Sequence, residues 1–216
     1  MKLQLALDRL SREECIDFIA KTRDFIDWIE VGTGTIKEHG IRLVRDIKDA
    51  YPDKTVVADM KICDSGRHEA EMAFRAGADV VTVMGFAGIE TIRQVLESAK
   101  ENRKRVMVDL LEVTDSGRVR NIYLAGADLF CLHIGKDRQS SGKQHFEDQL
   151  HLVGGLDQAD LAVAGGIGPD NLPSLRKLGV GIAIVGSYIT NSQDPEQAAA
   201  GMADALRRSD GQQKHL

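Results

Sequence analysis

Short runs rich in Val, Ile, Leu and Ala recur along the chain at "LQLALD" (3–8), "DWIEVG" (27–32), "TVVADMK" (55–61), "RVMVDLL" (105–111) and "LAVAGGI" (161–167). Three more share one entry, a glycine suited to ending a helix followed by a β-branched run: "RAGADVVTVMG" (75–85), "LAGADLFCLHIG" (124–135) and "LGVGIAIVG" (178–186). Together they predict eight strands. The intervening segments switch to a helical period, as in "SREECIDFIAKTRD", "GIRLVRDIKDAY", "GRHEAEMAFRAG", "TIRQVLESAKEN" and "DPEQAAAGMADALRRS". Ser11 and Glu14 have the spacing of a capping box, and Asp194 followed by Pro195 reads as an N-cap with proline in the first turn.

Near-continuously apolar strands, each followed by a helix, are the signature of a parallel sheet covered on both faces. Eight such units suit a single-domain α/β fold, a (β/α)8 barrel over residues 1–208. The rival is an open doubly wound sheet, but no G-x-G-x-x-G follows the first strand, and the strand count favours closure. No linker or second domain interrupts the pattern. The tail "SDGQQKHL" (209–216) is expected to be frayed.

Composition narrows the function. The 216 residues are 43% hydrophobic and 28% charged, with a formal net charge of -5. That balance fits a globular domain and disfavours a nucleic-acid or membrane surface, leaving room for a local phosphate pocket. Cys15, Cys63 and Cys131 are odd in number and far apart, which supports neither a disulfide framework nor a zinc cluster and points to a reducing cytoplasm. No apolar run is long enough for a signal sequence or a membrane span.

A barrel builds its active site at the C-terminal ends of its strands. Those positions hold Asp8, Glu30, Asp59 with Lys61, Thr82 to Gly85, Asp109, His133, Gly165 with Gly166, and Gly186 with Ser187. Carboxylates at four strand ends converge on one axis and require a cation, a lysine or shared protons. Glu30 and Asp59, on adjacent strands, are expected ligands for Mg²⁺, a hard cation that keeps waters and takes one or two carboxylates. Lys61, two residues beyond Asp59, shares its face on an extended strand and can stabilise negative charge developing on a substrate oxygen. His133 is the expected acid/base. Asp64 lies beyond the strand, where a helix N-cap and a site residue are both compatible with its position. The glycines ending strands seven and eight lead toward helix starts, the usual phosphate cradle of such barrels.

With these residues in place, the chain resembles the orotidine-5'-phosphate decarboxylase suprafamily, whose D-x-K-x-x-D motif matches Asp59-Met-Lys61-Ile-Cys-Asp64. Within it, the chain is most similar to the 3-hexulose-6-phosphate synthases, through "MKLQLALD", "IEVGT", "ADMKICDSG", "AGADVVTVMG", "HIGKDRQ", "VAGGI", "IVGSYIT" and "DPEQAA". The resemblance implies a lyase that joins formaldehyde to D-ribulose 5-phosphate by a reversible, Mg²⁺-dependent aldol reaction. The metal would sit on Glu30 and Asp59, His133 would shuttle the proton of a cis-enediolate, Lys61 would stabilise it, and Asp8 would grip a substrate hydroxyl. Asp109 joins the expected substrate-binding set. The resemblance also implies a homodimer in which Asp64 reaches the partner's site.

Two alternatives accompany that reading. The related 3-keto-L-gulonate-6-phosphate decarboxylases usually carry an Arg where this chain has Ser187, H-R-S-R-D-x-Q where it has "HIGKDRQ", and a Glu where it has Asp109. Lys136 stands at their second Arg position and can support side activity. The other alternative is a sugar-phosphate-binding barrel without catalysis, against which the intact acid/base and metal set argues. Synthases usually have Met at Cys63 and a small residue at Arg67.

Overall fold

The computed structural model describes residues 1–139 and 146–208; the expected frayed tail, 209–216, lies outside them. Eight strands, β1 (Lys2–Leu7), β2 (Trp28–Val31), β3 (Thr55–Ile62), β4 (Val80–Met84), β5 (Arg105–Asp109), β6 (Leu129–His133), β7 (Asp160–Ala164) and β8 (Ile182–Val185), pair in parallel and in chain order. Pairing of β8 with β1 closes the sheet into the expected barrel.

The helices are α1 (Arg12–Thr22), α2 (Thr33–His39), α3 (Arg42–Ala50), α4 (Gly66–Arg75), α5 (Ile89–Asn102), α6 (Ser116–Leu124), α7 (Lys136–Gln139), α8 (Leu172–Lys177), α9 (Ser187–Thr190) and α10 (Pro195–Arg208). Local chemistry sets several of their starts. The Ser11–Glu14 capping box of α1 is present in both directions, and Asp194 Oδ1 accepts the Gln197 N–H at the start of α10. Helix α2 was not expected, because Gly34 within "VGTGTIKEHG" lowers intrinsic helix propensity. It stops at Gly40, whose φ of 77° is in the left-handed region.

Alternation along each strand divides the core. One set of side chains, including Leu5, Ile29, Ala58, Val83 and Val108, packs outward against the helices. The other set fills the barrel with Ala6, Trp28, Val57, Val80, Met107, Leu129, Cys131, Ala162, Ile182 and Ile184. Leu5 and Ile29 are fully buried; truncating either to Ala removes about 2–5 kcal/mol of stability. The inward parity carries on toward the strand ends through Glu30, Asp59, Thr82, Asp109 and His133. The opposite mouth is occupied by Trp28 with the Lys2 ammonium 5.0 Å above its ring. Among the described residues, no helix is long and apolar enough to cross a membrane.

Candidate active site

The inward residues at the C-terminal strand ends form one linked polar set. Lys61 Nζ lies 2.8 and 3.0 Å from the two oxygens of Asp59 and 3.1 Å from Asp109 Oδ2. His133 Nδ1 meets the Asp109 carboxylate at 2.9 and 3.1 Å, and the Leu111 N–H donates to Asp109 Oδ1 at 2.9 Å. Asp109 therefore sits between an ammonium and an imidazole. Burial alone would raise its pKa, but the His133 hydrogen bond, the Lys61 charge and the Leu111 N–H together hold it down at about 2. For Lys61, desolvation opposes the charge, while Asp59 and Asp109 outweigh it and raise the pKa further, so the side chain stays an ammonium.

Asp59 and Lys61 meet, but not by the expected alternation along a regular strand. Lys61 has φ of 48°, a left-handed conformation that costs a lysine about 1–2 kcal/mol, and the β3–β4 register shifts between Ala58 and Ile62. The bulge re-aims Lys61 back over Asp59.

Glu30 is 8% exposed and accepts a hydrogen bond from the buried Gln4 side-chain amide. Burial first, and the neighbouring Asp59 charge second, push its pKa up to about 8. Asp8 lies at the more open mouth, where partial desolvation and then Asp59 raise its pKa. Its carboxylate occupies the space a Cβ on Gly32 would need, so the glycine admits Asp8 to the site. A buried Glu30 whose ionisation is opposed by the Asp59 charge beside it forms with Asp59 a donor pair suited to a divalent cation. Glu30 and Asp59 fit Mg²⁺ on that ground, although no group of three or more His, Cys, Asp or Glu is arranged for a metal among the described residues.

The glycine loops after β7 and β8 adjoin one another. Gly165 and Gly166 have φ of 109° and 69°, and a Cβ on Gly165 would collide with the Ile134 carbonyl. A Cβ on Gly168 would touch the Tyr188 ring, which brings the β7 loop against the segment that begins with Gly186 and Ser187. Ser187 is exposed at the start of α9, and Lys136 is exposed at the start of α7. Neither is drawn into the Asp59–Asp109 set.

Asp64 is exposed at the rim. It does not cap α4, which follows a left-handed Ser65 with no side-chain cap; among the described residues its Oδ1 accepts only the adjacent Ser65 N–H, at 2.8 Å. Arg67 turns away to Glu71, Glu97 and Glu101, so its bulk is absorbed between α4 and α5. Cys15, Cys63 and Cys131 are all free thiols.

Two contributors escaped the sequence reading, and a third, Thr82, was placed among the strand ends without a role. Gln4 holds Glu30; Thr33 Oγ1 donates to Asp59 Oδ2 at 2.6 Å; and Thr82 Oγ1 donates to Asp59 Oδ1 at 2.8 Å. Gln4 carried a signal, since it is a polar residue at inward parity within an apolar strand. Thr33 carried none, lying in the unexpected α2.

Residues 1–202 match the family described as orotidine 5'-phosphate decarboxylase / HUMPS. The 3-hexulose-6-phosphate synthase of Bacillus subtilis (strain 168) is 38% identical over 207 residues, covering 95% of this chain and 99% of the relative. Among solved structures, the 3-hexulose-6-phosphate synthase of Salmonella typhimurium superposes with a TM-score of 0.93 at 41% identity, covering 96% of this chain and 99% of the other. KGPDC from Streptococcus mutans gives a TM-score of 0.90 at 27% identity, with 96% and 97% covered. The resemblance carried by the motifs, and with it the expectation of a lyase-type enzyme, is borne out. On its fold, its strand-end residues and its relatives alike, the chain belongs to the orotidine 5'-phosphate decarboxylase / HUMPS family.

Proposed function

We propose that this protein catalyses the reversible condensation of formaldehyde with D-ribulose 5-phosphate to D-arabino-hex-3-ulose 6-phosphate. The observation that carries the reading is the Lys61–Asp109–His133 chain, a fixed ammonium and an imidazole on two sides of one ionised carboxylate. Such a set suits making and quenching an enediolate. The synthase names of the relatives support it, with higher identity to the synthase structure than to KGPDC, 41% against 27%.

Asp109 holds Nδ1–H of His133, which leaves Nε2 to take a proton from C1 of the ketose. The negative Asp109 balances the imidazolium so formed. Lys61, whose side chain is 26% exposed between its two carboxylates, presents the ammonium to the enediolate oxygen. C1 then attacks the formaldehyde carbon, and the proton on His133 passes to the former formaldehyde oxygen. Asp109 acts here through His133 and Lys61, and Asp8 holds a substrate hydroxyl. Glu30 and Asp59 would hold Mg²⁺, which when bound draws charge from the ketose oxygens and acidifies C1–H. The β7 and β8 loop glycines, Gly165, Gly166 and Gly186, with Ser187, receive the phosphate.

We also read the protein as a cytoplasmic homodimer. Asp64 is exposed at the rim, and the loop after β4 exposes half of Phe86, apolar surface that a second copy would cover.

The test is an assay of ribulose 5-phosphate plus formaldehyde against 3-keto-L-gulonate 6-phosphate, each with Mg²⁺ and with EDTA. Condensation should be the faster and should vanish with EDTA. Faster decarboxylation transfers the assignment to the decarboxylase, and turnover of neither leaves a binding barrel.

A further inference from the structure

We propose that Thr82 is a positioning residue for the reaction, its one hydroxyl setting both the backbone course of Lys61 and the orientation of Asp59. The inference rests on the roles given above to those two residues. The β3–β4 ladder pairs Ala58 with Val81 and resumes with Ile62 opposite Val83. Between those points β3 advances four residues and β4 advances two, so β3 carries two surplus residues beside Thr82. In a regular parallel ladder a β4 carbonyl would receive each β3 N–H that faces β4. At the bulge that partner is missing, and Thr82 Oγ1 accepts the Lys61 N–H at 2.8 Å instead.

The same oxygen donates its hydrogen to Asp59 Oδ1 at 2.8 Å. Thr82 is 3% exposed, so bulk water does not compete for either bond. The chemistry demands an atom that accepts and donates at once, which a hydroxyl supplies and a methyl does not. The β-branch restricts χ1 and so aims the hydroxyl. Lys61, held in its left-handed conformation by this bond, places its ammonium on Asp59 and Asp109. Thr82 thereby acts on the charged pair without touching substrate.

The test compares Thr82→Val and Thr82→Ser with the full-length wild type. Thr82→Val should lower kcat about 100-fold, as small misplacements of reacting groups do, with KM for ribulose 5-phosphate little changed. Thr82→Ser should stay close to wild type. Hydrogen exchange read by NMR gives the second measurement: the Lys61 amide should lose protection in Thr82→Val and keep it in Thr82→Ser, with Val57 and Val81 unaffected. Should Thr82→Val fail to fold, Thr82→Ala takes its place with the same expectations. Wild-type kcat in the apolar variant, or an unchanged Lys61 amide, overturns the proposal. A wild type inactive toward ribulose 5-phosphate and formaldehyde overturns the reaction reading instead, and amide exchange still decides the placement of Lys61.

Discussion

His133 Nδ1 lies 2.9 Å from Oδ2 of Asp109, a carboxylate that is 3% exposed and also bonded to Lys61. This pair fixes which imidazole nitrogen carries the proton. Asp109→Asn keeps the shape but permits the wrong tautomer, so kcat should fall by about 10²–10⁴, with KM nearly unchanged. Steady-state kinetics check it; a loss under about threefold would remove Asp109 from the scheme.

The same carboxylate gives an acid-stability prediction. Its folded pKa, about 2, lies below the ordinary 3.8. The stabilisation is therefore complete above pH 4 and lost as pH falls toward 2, and it amounts to about 2 kcal/mol. Urea unfolding at stepped pH should show wild type losing that increment while Asp109→Asn does not. Parallel pH profiles would sink the assignment.

Glu30 has the opposite sign. Raised by burial and by Asp59, it keeps a proton in the metal-free protein that the unfolded chain has already released. Metal-free stability should therefore decline as pH rises from about 4.5 toward 8. Mg²⁺ must displace that proton, so its affinity should rise over the same range. Calorimetry in buffers of different ionisation enthalpy should detect proton release near pH 7, absent in Glu30→Gln. Equal release in both proteins, or none in either, contradicts the role of Glu30.

Lys61→Ala separates charge compensation from chemistry. Removing the ammonium leaves Asp59 and Asp109 facing each other without a cation, at a cost of about 3 kcal/mol. Turnover, and exchange of the C1 proton of ribulose 5-phosphate into D₂O followed by NMR, should both fall at least ~10³-fold. Normal exchange in a folded variant excludes Lys61 from enediolate stabilisation.

The eight strands were legible because helix-ending glycines and β-branched runs mark them, and their C-terminal ends then nominated Glu30, Asp59, Asp109 and His133. What escaped reading has physical causes. The bulge at Lys61 arises from β3 and β4 advancing unequally, a relation between two segments that neither "VVADMKI" nor "VVTVM" discloses alone. Gly32, at the N-cap of α2, makes room for the Asp8 carboxylate, a contact between two segments that neither discloses alone. Asp64 was ambiguous because an aspartate before a helix is the ordinary N-cap signal. Its exposure, with Ser65 left-handed between it and α4, removes that reading.

Asp64 carries the last prediction. If its carboxylate completes the site of a second copy, then Asp64→Ala and His133→Ala are each inactive as homodimers for different reasons. A mixed dimer distributes the two lesions unequally. One site combines a barrel that has lost its imidazole with a partner loop that has lost its carboxylate, and the other receives an intact His133 and an intact Asp64. Random exchange of equal amounts makes half of the dimers mixed, each with one complete site, so activity should recover to about a quarter of wild type. Mixing after denaturation and refolding, with each variant refolded alone as control, measures it. Should Asp64 serve its own barrel, every site in the mixture keeps one lesion and activity stays at the level of the separate variants. Recovery thus reports which subunit uses the carboxylate, something the loss of activity in either variant alone does not distinguish.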